Sequence, residues 1–377
     1  MKEFLIVLCT FFIVACGSSP YGSEPDYEFE ERLQIKEGRL YSIELDSVTP
    51  TESNFLAIHE TTEGEQLVFL NYLDNTLVFY DYATRLVINK LSFPTTGPES
   101  LGELESFEIV NEDSIFMVSA AIHAGFYTWE GKLLNKIEKV DYNIKLTPLT
   151  TSGNPPVLHK KKLYQSGFYL GSRDHKMTMV SSLEKDSSYT VYQIPEIYRK
   201  GFWGPGEYDM HFHCYNKEYG LFVYSFPQST NLFVTDHKSL DEDYYAGSKY
   251  FGEISPVSSK QLKSYKEVMD LTLIRPIFQE VIYDKYKRLY YRIAELPLTE
   301  TEAGLIGDPY LPGIRDFSII ILDTDFKKIG ESDIFKREQY DSRIFFVGEN
   351  GLHIKKLDRE SEDKLWFRLF DVSPKSQ

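Results

Sequence analysis

Residues 65–93 read EQLVFLNYLDNTLVFYDYATRLVINKLSF, and the pattern in this stretch decides the fold class. Three short runs rich in Val, Leu, Phe and Tyr, at 67–70, 76–80 and 86–91, are separated by Asp74-Asn75 and by Asp81-Tyr82-Ala83-Thr84. Branched and aromatic side chains suit a pleated, half-buried surface, and short polar breaks at this spacing are hairpin turns. The stretch is an antiparallel meander. Weaker copies recur down the chain, and a recurring meander points to a β-propeller.

A strand at 54–59 completes the first unit. The second is read at 107–110, 114–118, 125–129 and 132–140, and the third at 157–164, 167–170, 177–183 and 189–194. The fourth occupies 211–215, 220–225, 231–235 and 241–246, and the fifth 277–283, 289–293, 317–322 and 328–332. Acidic residues mark the corresponding outer turns at Asp81, Glu130, Glu184, Asp236 and Asp323. Two insertions lengthen the last interval. Residues 258–270 have a Ser cap and apolar Leu262, Tyr265 and Met269 at helical spacing, whereas 295–316, with three Gly and three Pro, read as a long loop. The chain ends in three strands, 344–348, 352–356 and 365–370, and begins with one unpartnered strand, 39–46. The expectation is an all-β, six-bladed β-propeller spanning 35–373 and closed by its N-terminal strand, which hides sheet edges from aggregation. Seven blades is the alternative count.

Composition agrees with a large β core. Of 377 residues, 42% are hydrophobic and 15% aromatic, which is enough to fill a ring of sheets. A formal net charge of −16 excludes nucleic acid as an expected partner, because that affinity comes from neutralising phosphates.

At the N-terminus the apolar run FLIVLCTFFIVA, residues 4–15, follows Lys2 and is too short to span a bilayer of about 30 Å, so 1–15 reads as an export signal. It closes with Ile13-Val14-Ala15-Cys16, which resembles the lipobox of bacterial lipoproteins. That resemblance implies cleavage before Cys16 and acylation of Cys16, and two or more acyl chains give stable membrane anchoring. Cleavage removes Cys9 and leaves Cys214 as the remaining free thiol, so no internal disulfide is expected. Residues 16–34, acidic at first and carrying Gly and Pro, read as a flexible tether. Gly17 after the cysteine implies, by lipoprotein precedent, the outer membrane.

With the lipobox, the connector Gly97-Pro98-Glu99, its echo Gly204-Pro205-Gly206-Glu207 and the Asp81 type of turn, nearly the whole mature chain resembles the six-bladed, TolB-like propeller lipoproteins. These are grouped as a domain of unknown function and are common among anaerobic commensal bacteria. The resemblance implies a fold and a cell-envelope location, and no reaction.

The densest polar constellation is GFWGPGEYDMHFHC, residues 201–214. His211 and His213 share one face of a strand, and Glu207 and Asp209 arrive from the preceding loop. Two imidazoles and a carboxylate suit a divalent metal, but no third ligand has recognisable spacing, and the pair is read as polar and channel-lining. No metal site and no cofactor is assigned, and no catalytic residue is identified. Cys214 should face the opposite way as a small buried apolar group. Trp203, with Phe202, Tyr208 and Phe212, suits a binding surface for sugar rings or apolar side chains, and packing between blades is the competing account. Gly-x-Ser-x-Gly, G-x-G-x-x-G and Walker A patterns are absent. The expected function is a lipid-anchored binding or scaffold module. Its ligand candidates are Trp203, Glu207, Asp209, His211 and His213, and its partner an envelope protein or a glycan. The alternatives are a hydrolase or lyase with a metal-assisted site in the channel and a purely structural envelope protein.

Overall fold

The computed structural model describes residues 29–375 apart from 52, 54, 120–122, 138–145, 149, 170–175, 185–186, 200–210, 258–263, 307–312 and 358–362. Cys16, Trp203, Glu207 and Asp209 lie outside the described residues.

After β1 (Leu33–Glu44) come two four-stranded antiparallel sheets. The first is β2 (Leu56–Thr61), β3 (Gly64–Asn71), β4 (Thr76–Asp81) and β5 (Val87–Ser92). The second is β6 (Leu104–Asn111), β7 (Ser114–Ser119), β8 (Ala124–Tyr127) and β9 (Leu133–Ile137). In the third, β10 (Leu146–Pro148) and β11 (Val157–His159) share one edge of β12 (Lys162–Tyr169), followed by β13 (Lys176–Ser182) and β14 (Ser188–Gln193). The fourth is β15 (Phe212–Asn216), β16 (Leu221–Ser225), β17 (Asn231–Thr235) and β18 (Asp241–Tyr245).

The last sheet has eight strands. One half is the meander β19 (Ile277–Asp284), β20 (Leu289–Glu295), β21 (Phe317–Leu322) and β22 (Lys328–Glu331). The other half is β23 (Tyr340–Gly348), β24 (Gly351–Lys356) and β25 (Lys364–Pro374), to which β1 adds along its whole length. The halves meet at one parallel pairing, Leu33 with Gly330. Buried apolar clusters join each unit to the next. Val68 and Phe79 pack with Phe107 and Met117, and Phe116 and Val118 with Leu163. Val180 and Tyr224 pack with Phe278 and Tyr290, Ile319 with Leu352, and Phe346 and Phe367 with Phe69 and Tyr80. The contacts run in a cycle, and the arrangement is that of a β-propeller.

Several expectations are corrected. Residues 157–164 are not one strand. The chain turns at Lys160-Lys161, both in the left-handed region (φ 49° and 60°), and returns as β12. The N-terminal strand begins at Leu33, not at 39, so Leu33 and Gln34 of the expected tether are strand. The helix in the first insertion is α1 (Tyr265–Leu273), started later than expected because Ser264 caps it by accepting from the Glu267 N–H. The 295–316 loop holds the short helix α2 (Glu300–Ala303), fixed by a reciprocal Thr299/Glu302 capping box. Asp81, Asp236 and Asp323 do serve as turn acceptors, each taking backbone N–H groups of its own turn. In the second sheet that role falls to Thr128, not Glu130, because its shorter side chain stays beside the backbone.

The junction of the two halves is tight. A Cβ at Gly330 would lie inside contact distance of the Leu33 carbonyl. Gly330→Ala is therefore expected to cost about 1–2 kcal/mol through strain at this pairing. Urea unfolding measures it, and an unchanged midpoint would show that the junction yields freely.

Candidate functional site

The innermost strands surround an axial cavity of about 420 Å³. Its wall is built from Ile58 of β2, Tyr215 of β15, Ile282 and Tyr283 of β19, and Phe345 and Val347 of β23. A smaller cavity of about 230 Å³ continues it toward β6 and shares Phe55, Ile58, Pro155 and Tyr215. Side chains of inner strands have little surface left once both flanking blades are packed. What Ala57, Ile58, Tyr215, Tyr283 and Val347 keep exposed, each being half-buried, borders this space.

The third sheet supplies its own piece of the channel. Between β10 and β11 the chain leaves the sheet, and Thr151 and Asn154 bridge to form a tight turn with Ser152 and Gly153 at its tip. The tip is held from two sides. The His213 N–H donates to the Gly153 carbonyl at 3.2 Å and to Asn154 Oδ1 at 3.1 Å. On the other side, a Cβ at Gly153 would fall 2.5 Å from Glu280 Cγ, so only glycine permits this approach.

Of the two candidate histidines, His213 belongs to a cavity-lining strand position, whereas His211 is not on the wall. Both are buried, with ring centroids 6.4 Å apart, and both lean on Tyr224, so the shared face is real. His211 stacks on Phe226 because it precedes the first paired residue of β15 and turns into the core. Burial pushes the His213 imidazole down to about 4, so it is neutral at physiological pH. Asn154 Oδ1 sits 3.1 Å from Nδ1, which places the proton there and leaves Nε2 a buried acceptor with no hydrogen-bond partner. Among the described residues no group of three or more His, Cys, Asp or Glu could hold a metal ion. Cys214 is half-buried and lines the cavity, not fully enclosed as expected, because it sits on the strand nearest the axis.

Glu280 escaped the sequence reading. It is 2% exposed, its Oε2 has no hydrogen-bond partner, and burial, with Glu295 and Asp341 adding repulsion, pushes its carboxyl up to about 8. It lies where β19 slips register between Phe278 and Val281, level with a matching slip in β23 between Asp341 and Phe345. Around it Arg343 Nε donates to Asp341 at 3.0 Å and Ser342 Oγ donates to Glu295 at 3.0 Å. An acid in the middle of the largely apolar stretch IFQEVIYD was the available signal.

At the opposite end, ion pairs cross between units that are not neighbours. Lys217 after β15 meets Glu108 of β6 at 3.1 Å, and Lys285 after β19 meets Glu60 of β2 at 2.6 Å. Tyr286 OH also donates to Glu60, at 2.8 Å.

A ring of antiparallel sheets around a mostly apolar axial cavity defines a propeller-type protein with a central binding space. The chain belongs to the family described as Domain of unknown function (DUF4221), whose profile matches residues 32–333. It is similar to a crystal structure of a member of that family from Bacteroides vulgatus, with a TM-score of 0.79 and 22% identity over 92% of this chain and 100% of that one. It is also similar to a Bacteroides fragilis protein that carries the name of an exported protein, with a TM-score of 0.53 and 10% identity over 91% of this chain and 96% of that one. At these identities the likeness is one of fold. No curated protein matches the chain.

Proposed function

We propose that this protein is a lipid-anchored, cell-envelope propeller of six blades that works as a binding or scaffold module. The observation that carries the binding role is the axial cavity, whose walls come from separate blades and include Ser152 of the turn at 151–154. Six blades is supported by reading the eight-stranded sheet as two four-stranded halves whose strands pair with each other at Leu33 and Gly330. An envelope location is supported by the export signal and lipobox of the sequence and by the name of the Bacteroides fragilis relative in fold. Cross-linking in the native envelope, with identification of attached proteins, tests the module reading. Recovery of one recurrent partner is the expected outcome, and cross-linked material indistinguishable from that of an unrelated lipoprotein would count against it.

The anchor has its own test. Cys16→Ser is expected to abolish incorporation of a fatty-acid probe and to move the protein out of the membrane fraction. Undiminished labelling in the variant would rule the anchor out.

A further inference from the structure

The cavity wall carries few groups free to meet a polar ligand. Each charged lining residue already has a counter-ion: Lys217 has Glu108, Lys285 has Glu60, and Glu218 has Arg288 at 3.1 Å. The tyrosines are engaged as well. Tyr215 OH lies 2.8 Å from His159 Nδ1, and Tyr283 OH donates to Glu218 at 3.1 Å. These pairs lie partly in solvent, so each charge is also satisfied by water and gains little from a ligand. A polyol can donate to His213 Nε2, a buried acceptor on the wall without a partner, but its other hydroxyls give up water for little in return. What the wall does offer is apolar and aromatic surface, from Ile58, Ile282, Val347, Phe345 and the ring faces of the two tyrosines. Its volume of about 420 Å³ lies within the range of small-molecule pockets.

Resting on the binding-module reading above, we infer that the axial cavity takes an uncharged small molecule with an apolar, ring-bearing body. The affinity comes from burying that body against the apolar wall, which would strip water from any charge carried with it. Cys214 lies on the same wall and reports occupancy.

The test uses two probes with one skeleton, N-phenyl-1-naphthylamine and its sulfonate, 1-anilinonaphthalene-8-sulfonate. Both are titrated by fluorescence into the chain carrying Cys16→Ser, so that neither lipid nor detergent is present. Saturable one-to-one binding of the uncharged probe is expected, with the sulfonate weaker by roughly tenfold or more, because burying the shared skeleton against the apolar wall strips water from the sulfonate. Cys214→Trp, which fills the cavity, should abolish that binding. Equal affinities, no saturable binding, or binding untouched by Cys214→Trp would overturn the inference. If the tryptophan variant does not fold, alkylation by monobromobimane in the Cys16→Ser chain decides, read at Cys214 by peptide mapping. Slower alkylation with the uncharged probe upholds the inference and an unchanged rate overturns it. Failure here together with a recurrent partner in envelope cross-linking would remove the ligand class and leave the module reading standing.

Discussion

Arg292→Met is expected to lower the free energy of unfolding by about 3–5 kcal/mol, one of the largest effects of a single substitution in this fold. The side chain leaves β20 fully buried, and each of its N–H groups is spent. Nε donates to Ser225 Oγ at 3.0 Å, Nη1 to the carbonyls of Thr230 and Ala246 at 3.1 Å, and Nη2 to those of Phe226 at 3.3 Å and Ser229 at 2.8 Å. The guanidinium also lies 3.8 Å over the Phe278 ring. Burial lowers its pKa to about 9, which still leaves it charged at neutral pH. These acceptors belong to the β16–β17 turn and to the chain leaving β18, so one residue of the fifth unit ties off the fourth. Methionine fills comparable space but donates nothing, and several buried carbonyls lose their partner together. In a domain of this size the melting temperature should fall by roughly 4–7 °C. Arg292→Lys should recover only part, since an ammonium cannot span carbonyls that the planar fork reaches at once. Calorimetry on parent and variants decides. If Arg292→Met melts with the parent, the stitch between the two units contributes little.

The meanders were legible because two independent signals agree in them. Leu67, Phe69, Leu77 and Phe79 bring β-forming side chains to every position, and Asp74-Asn75 brings a turn in which Asn75 takes a left-handed φ of 55°. The closing strand β1 was legible only in its second half. Ile35, Tyr41 and Ile43 are its buried side chains, and as the last of the four strands of its half-sheet it shows Lys36, Glu37 and Leu40 to solvent, which dilutes the alternation. The split inner strand of the third sheet could not be read. Lys160 and Lys161 take the left-handed backbone that both centre residues of a two-residue hairpin adopt, but they are not the Asn-Gly type of pair that announces such a turn. The candidate site divides in the same way. His211 and His213 stood out by spacing alone, and the structure brings both to Tyr224. Asn154 and Glu280 reach His213 and Gly153 from other units, and no local pattern announces such a meeting.

Glu280→Gln is expected to stabilise the protein at neutral and alkaline pH and to leave it unchanged in acid. The carboxyl has an ordinary value of 4.5 and is held at about 8 in the fold. A native state that keeps its proton while the unfolded chain gives it up is favoured fully below the unfolded value and loses that advantage as pH rises to the folded one. The loss is spread over the window from about pH 4.5 to 8, and by pH 9 amounts to something on the order of 4 kcal/mol. Glutamine keeps the shape, carries no charge and titrates nowhere in that window. The difference in stability between Glu280→Gln and the parent should be near zero at pH 4 and grow steadily to pH 8. Histidines change stability in the opposite sense. His213, His237 and His353, each pushed down to about 4 by burial, cost stability as pH falls below their ordinary 6.5. They are common to both proteins and cancel in the difference. Urea midpoints taken in steps across the range read the effect directly. Parallel curves for the two proteins would mean that Glu280 ionises freely in the fold, through water or through Arg343. A widening gap would establish that the protein keeps an uncharged acid against Gly153 at a continuing cost in stability.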